Sequence, residues 1–208
     1  MTTPMRALLA LCSFPLFVSL PACDRLNVES VRQGTLDFDT SKTVGDIFGT
    51  SEVVSGAKWS GFAANDGSQV VQLNGTFTDL QAALDEAFAE IEQNPQAATL
   101  VALGSGGEMG ALGLAMLVNS PLRIDTCSYQ IQFLLSKRDD SFEVGSSVLK
   151  AVITNTQTGS SKEHTFGDDD SNVLAAIYEN NKSAVAVYVL AQAMQAQVAE
   201  GLLRQLQD

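Results

Sequence analysis

Positive charge is the scarcest resource in this 208-residue chain: 12 Lys and Arg stand against 24 Asp and Glu, a formal net charge of −12. Binding to nucleic acid needs Lys and Arg to neutralise phosphates, so that partner is excluded, as is broad docking onto anionic lipid. One histidine, His164, and three cysteines leave too few soft ligands for a structural zinc centre. Bound metal is not expected. Candidate nucleophiles are equally sparse. Ser160 and Ser161 stand near His164 without a nucleophile-elbow context, and Glu163 beside the imidazole does not by itself orient it as a base. The expectation is a non-enzymatic chain in which His164 sits in a solvated loop.

The first 22 residues are different in kind. Arg6 is their only charge, an apolar run occupies 7–20, and Leu20-Pro21-Ala22-Cys23 closes the segment before Asp24-Arg25. A short apolar run behind a basic residue, ending on a small residue, reads as an export signal rather than a spanning helix. The ending resembles a bacterial lipobox, with proline at a position usually held by a small residue. The resemblance implies cleavage before Cys23 and covalent diacylglyceryl and N-acyl groups on it. No other cofactor is expected. Cys23 is thus the expected lipidation site, and two or more acyl chains make a durable membrane anchor. Asp24 resembles an inner-membrane retention signal, which slightly favours that membrane for a periplasm-facing protein of the cell envelope.

Lipidation also settles the thiol count. Cys12 leaves with the signal, so Cys127 remains alone and no intramolecular disulfide forms. A Cys23–Cys127 bridge is the competing arrangement if lipidation fails. Domain organisation follows: a signal over 1–22, a lipidated tether over 23–33, and one α+β domain over 34–208 with an apolar glycine-rich insert at 96–119.

Within that domain, Thr43 and Asp46 are spaced as an N-cap and a first-turn acid. Strand patterns at 53–64 and 69–77 flank Asn65-Asp66-Gly67-Ser68, a hairpin signal. Val53, Ala57 and Trp59 share one face, and Val71, Leu73 and Phe77 another. Trp59 reads as a core anchor. Thr78 is placed to cap a helix over 79–93, where Leu80, Leu84, Ala87, Phe88 and Ile91 recur at helical spacing.

A second hairpin spans 123–152. Cys127, Tyr129, Ile131, Phe133 and Leu135 alternate on the first arm, and Phe142, Val144, Val148 and Val152 on the second. Cys127 therefore reads as a buried, inert thiol. A polar loop is expected over 155–170 and helical sequence over 171–207, broken near Asn180–Ser183. Val187, Leu190, Ala191, Met194, Val198 and Leu202 form an apolar stripe on the last helix. Two hairpins with one apolar face each predict an antiparallel sheet of about four strands covered by helices.

Several motifs invite a chemical reading. The insert contains Gly104-Ser105-Gly106-Gly107 but lacks a dinucleotide or phosphate-loop spacing. It reads as a turn followed by a buried helix near 108–119, with a lipid- or partner-contacting patch as the alternative. Asp37-Phe38-Asp39 opens like a calcium loop, but Lys42 stands where that loop needs glycine. Asp168-Asp169-Asp170 reads as a complement to a helix N-terminus. The competing functional reading is a hydrolase or metal-dependent envelope enzyme using His164 with Asp168–Asp170.

Thr43-Val44-Gly45-x-x-Phe48, Lys58-Trp59-x-x-Phe62 and Gly67-x-x-Val70-Val71-x-Leu73-x-Gly75, followed by Gln132-Phe133 and Ser141-Phe142-Glu143, resemble a family of small membrane-associated bacterial lipoproteins of undefined activity. The resemblance covers 31–77 and 128–150. It implies an α+β fold at a membrane. The functional expectation is a membrane-tethered module that binds another envelope protein through the insert and the long C-terminal helix.

Overall fold

In the computed structural model, the described residues are 21–94, 116–136, 141–168 and 172–206. Five strands, β1 (Val54–Ala63), β2 (Gln69–Phe77), β3 (Leu122–Leu135), β4 (Phe142–Asn155) and β5 (Ser160–Gly167), form one sheet in sequence order. Every neighbouring pair is antiparallel. The helices lying wholly within the described residues are α1 (Pro21–Gln33), α2 (Val44–Thr50), α3 (Leu80–Gln93), α4 (Asn172–Tyr178) and α5 (Lys182–Gln205), and residues 116–118 are also helical. The architecture is α+β, with one strand more than the periodicity predicted.

The extra strand replaces the polar loop expected over 155–170. Asn155 Oδ1 accepts from the amides of Gln157 and Thr158, closing a tight turn that sends the chain back along β4. On β5 only His164 and Phe166 face the core. An edge strand with two inward residues among polar neighbours carries almost no alternating signal.

β4 corrects a second expectation. Phe142 and Val144 pack against the core as read, but further along the buried residues are Leu149, Ala151 and Ile153. Val148 and Val152 are only half-buried and fall on the opposite face. A register shift explains the change: Phe133 pairs with Val144, whereas Gln132 pairs with Ser146. The extra residue is Gly145, where a Cβ would lie 2.5 Å from Leu134 Cγ. A single bulged residue moves every later side chain to the other face.

The segment expected as an extended tether is helical. α1 packs on β1 and β2, and its Val31 is fully buried. Asn27 Nδ2 donates to Gln69 Oε1 at 3.2 Å, and Gly34 lies against the ring of Phe142. The body thus begins before residue 34. The first hairpin and α2 match expectation: Gly67 N–H donates to Ala64 O across the turn, and Thr43 Oγ1 accepts from Asp46 N. Thr78 does not cap α3. Its hydroxyl donates back to Glu52 O, and Asp79 occupies the N-cap in a left-handed conformation without a side-chain cap bond.

One hydrophobic cluster links Val31 to Ala193 on the helix-covered face. Its centre is aromatic: Phe48 stacks on Tyr129 (5.6 Å), and Trp59 stacks on Phe133 (6.1 Å). The opposite face carries a ladder of neutral polar side chains. Ser146 Oγ donates to Gln132, Gln132 to Gln72 and Gln72 to Asn74, at 3.3, 3.0 and 3.3 Å. No helix among the described residues is long and apolar enough to cross a membrane.

Candidate functional site

α5 changes character along its length. Val185, Ala186, Val187, Val189, Leu190 and Ala193 are essentially inaccessible, so its first half is enclosed almost all round. Past Met194, which is half-buried, the same helix emerges into solvent. Val198 is 58 % exposed, Leu202 57 %, Leu203 59 % and Leu206 83 %. The stripe read in the sequence therefore splits, its first part in the core and its last part on the surface.

Two contacts align α5 with the sheet edge. Tyr188 Oη donates to Gly167 O at 3.1 Å, and Glu200 forms an ion pair with Lys162. The helix consequently runs along β5 in the opposite sense, toward the strand's Ser160 end. Leu203 and Leu206 extend the exposed patch beyond the stripe read in the sequence. The signal available for it is Leu202-Leu203 with Leu206 one turn on, a run past Glu200 in which Arg204 is the only charge. Exposed aliphatic side chains grouped in this way make the helix end a candidate interaction surface.

The titratable candidates lie elsewhere. His164 is on β5 opposite Ala151, buried, with its ring parallel to that of Phe166 at 5.8 Å. The solvated-loop placement is thus corrected. Burial, reinforced by the Lys162 ammonium and opposed by Glu200, holds its imidazole below the usual histidine range. Its Nε2 has no hydrogen-bond partner among the described residues.

Asp168 is also buried, and its two carboxylate oxygens accept from the amides of Val173 and Leu174 at 3.3 and 3.4 Å. It satisfies first-turn donors of α4, the role its position suggested. Asp169 and Asp170 lie outside the described residues. Among the described residues no group of three His, Cys, Asp or Glu is placed to hold a metal.

No family model, curated protein or solved structure matches this chain. The family resemblance read from the motifs at 43–75 and 132–143 therefore gains no support from them.

Cys127 faces the core from β3, and burial pushes its thiol up to about 12, where it has almost no thiolate at neutral pH. Cys23 is the third residue of α1. Of the glycine-rich insert 96–119, only the part from Met116 onward falls within the described residues. There Leu117 is buried and Met116 is 57 % exposed.

Asp39 and Ser41 form a local turn in which Oδ1 accepts from both the Ser41 amide and hydroxyl, which holds the Asp39 carboxyl low. A shallow depression of about 500 Å³ is lined by Glu52, Glu86, Glu179 and Lys182. Beside it Asn180, in a left-handed conformation, accepts from the Glu52 amide at 3.0 Å and closes the corner between α4 and α5.

Proposed function

We propose that this chain is a membrane-anchored, non-enzymatic interaction module of the bacterial envelope. Acyl groups on Cys23 hold it to the bilayer, and the free end of α5 engages another envelope protein. The anchor is supported by Leu20-Pro21-Ala22-Cys23 behind a basic residue and an apolar run. Asp24 slightly favours the inner membrane, with the body facing the periplasm. The binding role is carried by one observation: four large aliphatic side chains, Val198, Leu202, Leu203 and Leu206, stand in solvent on one helix end. Burying each contributes about 1.5–3 kcal/mol, so a partner covering them gains a substantial driving force. Among the described residues that an enzyme reading would use, Asp168 accepts from the first-turn amides of α4, and His164 and Cys127 face the core.

Native electrophoresis of detergent-extracted envelopes tests this reading. Wild type and His164→Ala are expected in one complex larger than the chain, and Leu202→Glu/Leu206→Glu as the free chain. A double variant migrating like wild type overturns the surface assignment. Palmitate labelling separately tests the anchor, since label persisting in Cys23→Ala contradicts it.

A further inference from the structure

We infer that the partner at the free end of α5 is a second copy of this chain, two anchored copies pairing side by side through Val198, Leu202 and Leu206. The inference rests on the anchored reading above and gives its partner an identity.

The first support is placement. α1 lies across one end of the sheet, from Phe142 at the start of β4 to Gln69 at the start of β2. Cys23 precedes Asn27 by one helical turn, about 6 Å, so its backbone belongs to that end. β4 leaves it and runs fourteen residues to Asn155, a span of roughly 45 Å at about 3.3 Å per residue. Ser160 of β5 pairs with Asn155 at the far end, which is the end toward which α5 runs. The exposed leucines therefore lie toward the end of the body remote from Cys23, which removes lipid as their occupant. Every anchored copy also presents them at the same height above the membrane.

The second support is charge. Copies of a chain with net charge −12 repel except where the surface is neutral. Between Val198 and Leu206 the sequence carries one acid and one base, Glu200 and Arg204, so the ridge segment has no net charge, and Glu200 is paired with Lys162 of its own chain. The third is shape. Val198, Leu202 and Leu206 recur every fourth residue and form one ridge of the helix. Such a ridge is self-complementary about a two-fold axis normal to the membrane. Confinement to one bilayer raises the effective concentration of the two ridges.

The test is Leu202→Cys in the full-length chain with Cys23 retained, oxidised in isolated envelopes, with palmitate labelling run in parallel. A disulfide-linked homodimer is expected that disappears when Val198→Glu and Leu206→Glu are added. Ser60→Cys, exposed on the open sheet face, gives none. A cross-link to a different protein overturns the inference. So does a maleimide-reactive Leu202→Cys chain that stays monomeric, or one shielded from maleimide yet monomeric, which its own chain covers. If palmitate label is missing, the anchor reading fails on its own. Sedimentation of the purified chain then decides the pairing, a dimer supporting it and a monomer overturning it.

Discussion

Gly75 of β2 lies directly opposite Tyr129 of β3, and the tyrosine ring fills the space where any other residue would place its Cβ. A Cβ at position 75 would stand 2.6 Å from Tyr129 Cζ and nearer still to the hydroxyl. The ring is thereby laid flat across β2, where it meets Phe48 and Phe77. Its Oη has no partner among the described residues, and burial pushes its ionisation upward. Two opposite outcomes follow for urea unfolding. Gly75→Ala is expected to lose about 1–3 kcal/mol, the usual cost of overpacking. Tyr129→Phe, which removes a buried hydroxyl unpartnered among the described residues, is expected to gain about 1 kcal/mol. A destabilised Tyr129→Phe protein would show that the hydroxyl is satisfied.

The carboxylate of Asp168 tests the difference between a cap and a metal ligand. Its two oxygens accept from consecutive amides at the start of α4, and the residue is 2 % exposed. Asp168→Ala leaves those donors buried and is expected to cost about 2 kcal/mol, at the upper end for caps. Asp168→Asn keeps one accepting oxygen and should lose less. Millimolar calcium or magnesium is expected to leave the thermal midpoint of the wild type unchanged. A cation-dependent rise in midpoint that vanishes in Asp168→Ala would restore the metal-site reading.

Much of this fold is legible in the residues, and the failures have identifiable physical causes. The hairpin at 64–69, the inward faces of β2 and β3, the break at Asn180 and the inert thiol of Cys127 all follow from alternation and turn chemistry. β4 was misread past Gly145 because alternation carries no information about an inserted residue until its partner strand is known. β5 was missed because His164 and Phe166 are its only inward residues. α1 was missed because its polar composition resembles a linker, and its helix is secured by tertiary contacts through Val31 and Asn27. The exposed end of α5 was half legible. Periodicity identified the stripe, but where the core beneath it ends depends on the length of β5.

His164 provides a pH signature. Above about pH 6.5, its ordinary pKa, the imidazole is neutral in both folded and unfolded chains and adds no penalty. As pH falls below that value, the unfolded chain takes up a proton that the buried ring resists. Stability is therefore lost with acidification until the lowered folded-state pKa has been passed. The shift comes first from burial, then from Lys162, with Glu200 acting against both. Urea midpoints for wild type should decline between pH 7.5 and 5, while those of His164→Phe decline less over the same range. Parallel profiles for the two proteins would mean that His164 is readily protonated in the fold, contrary to its buried setting.

Val31 decides whether α1 is a leash or part of the body. Its side chain is fully buried within the main hydrophobic cluster, one turn after Asn27 contacts Gln69 and three residues before Gly34 meets Phe142. A flexible leash would make Val31→Ala neutral. A docked helix makes it a large-to-small core change, expected to cost about 1–3 kcal/mol by the lost transfer energy and the residual cavity. Val31→Asp, burying an unpaired carboxylate, should cost more and detach α1 before the sheet unfolds. Hydrogen exchange gives the regional readout: amides of 27–33 protected in wild type and exchanging rapidly in Val31→Asp, with β3 amides still protected. The same detachment frees Cys23 from the end of the sheet. In the anchored protein it should abolish cross-linking through Leu202→Cys, because the two copies no longer hold their α5 ends at a common height.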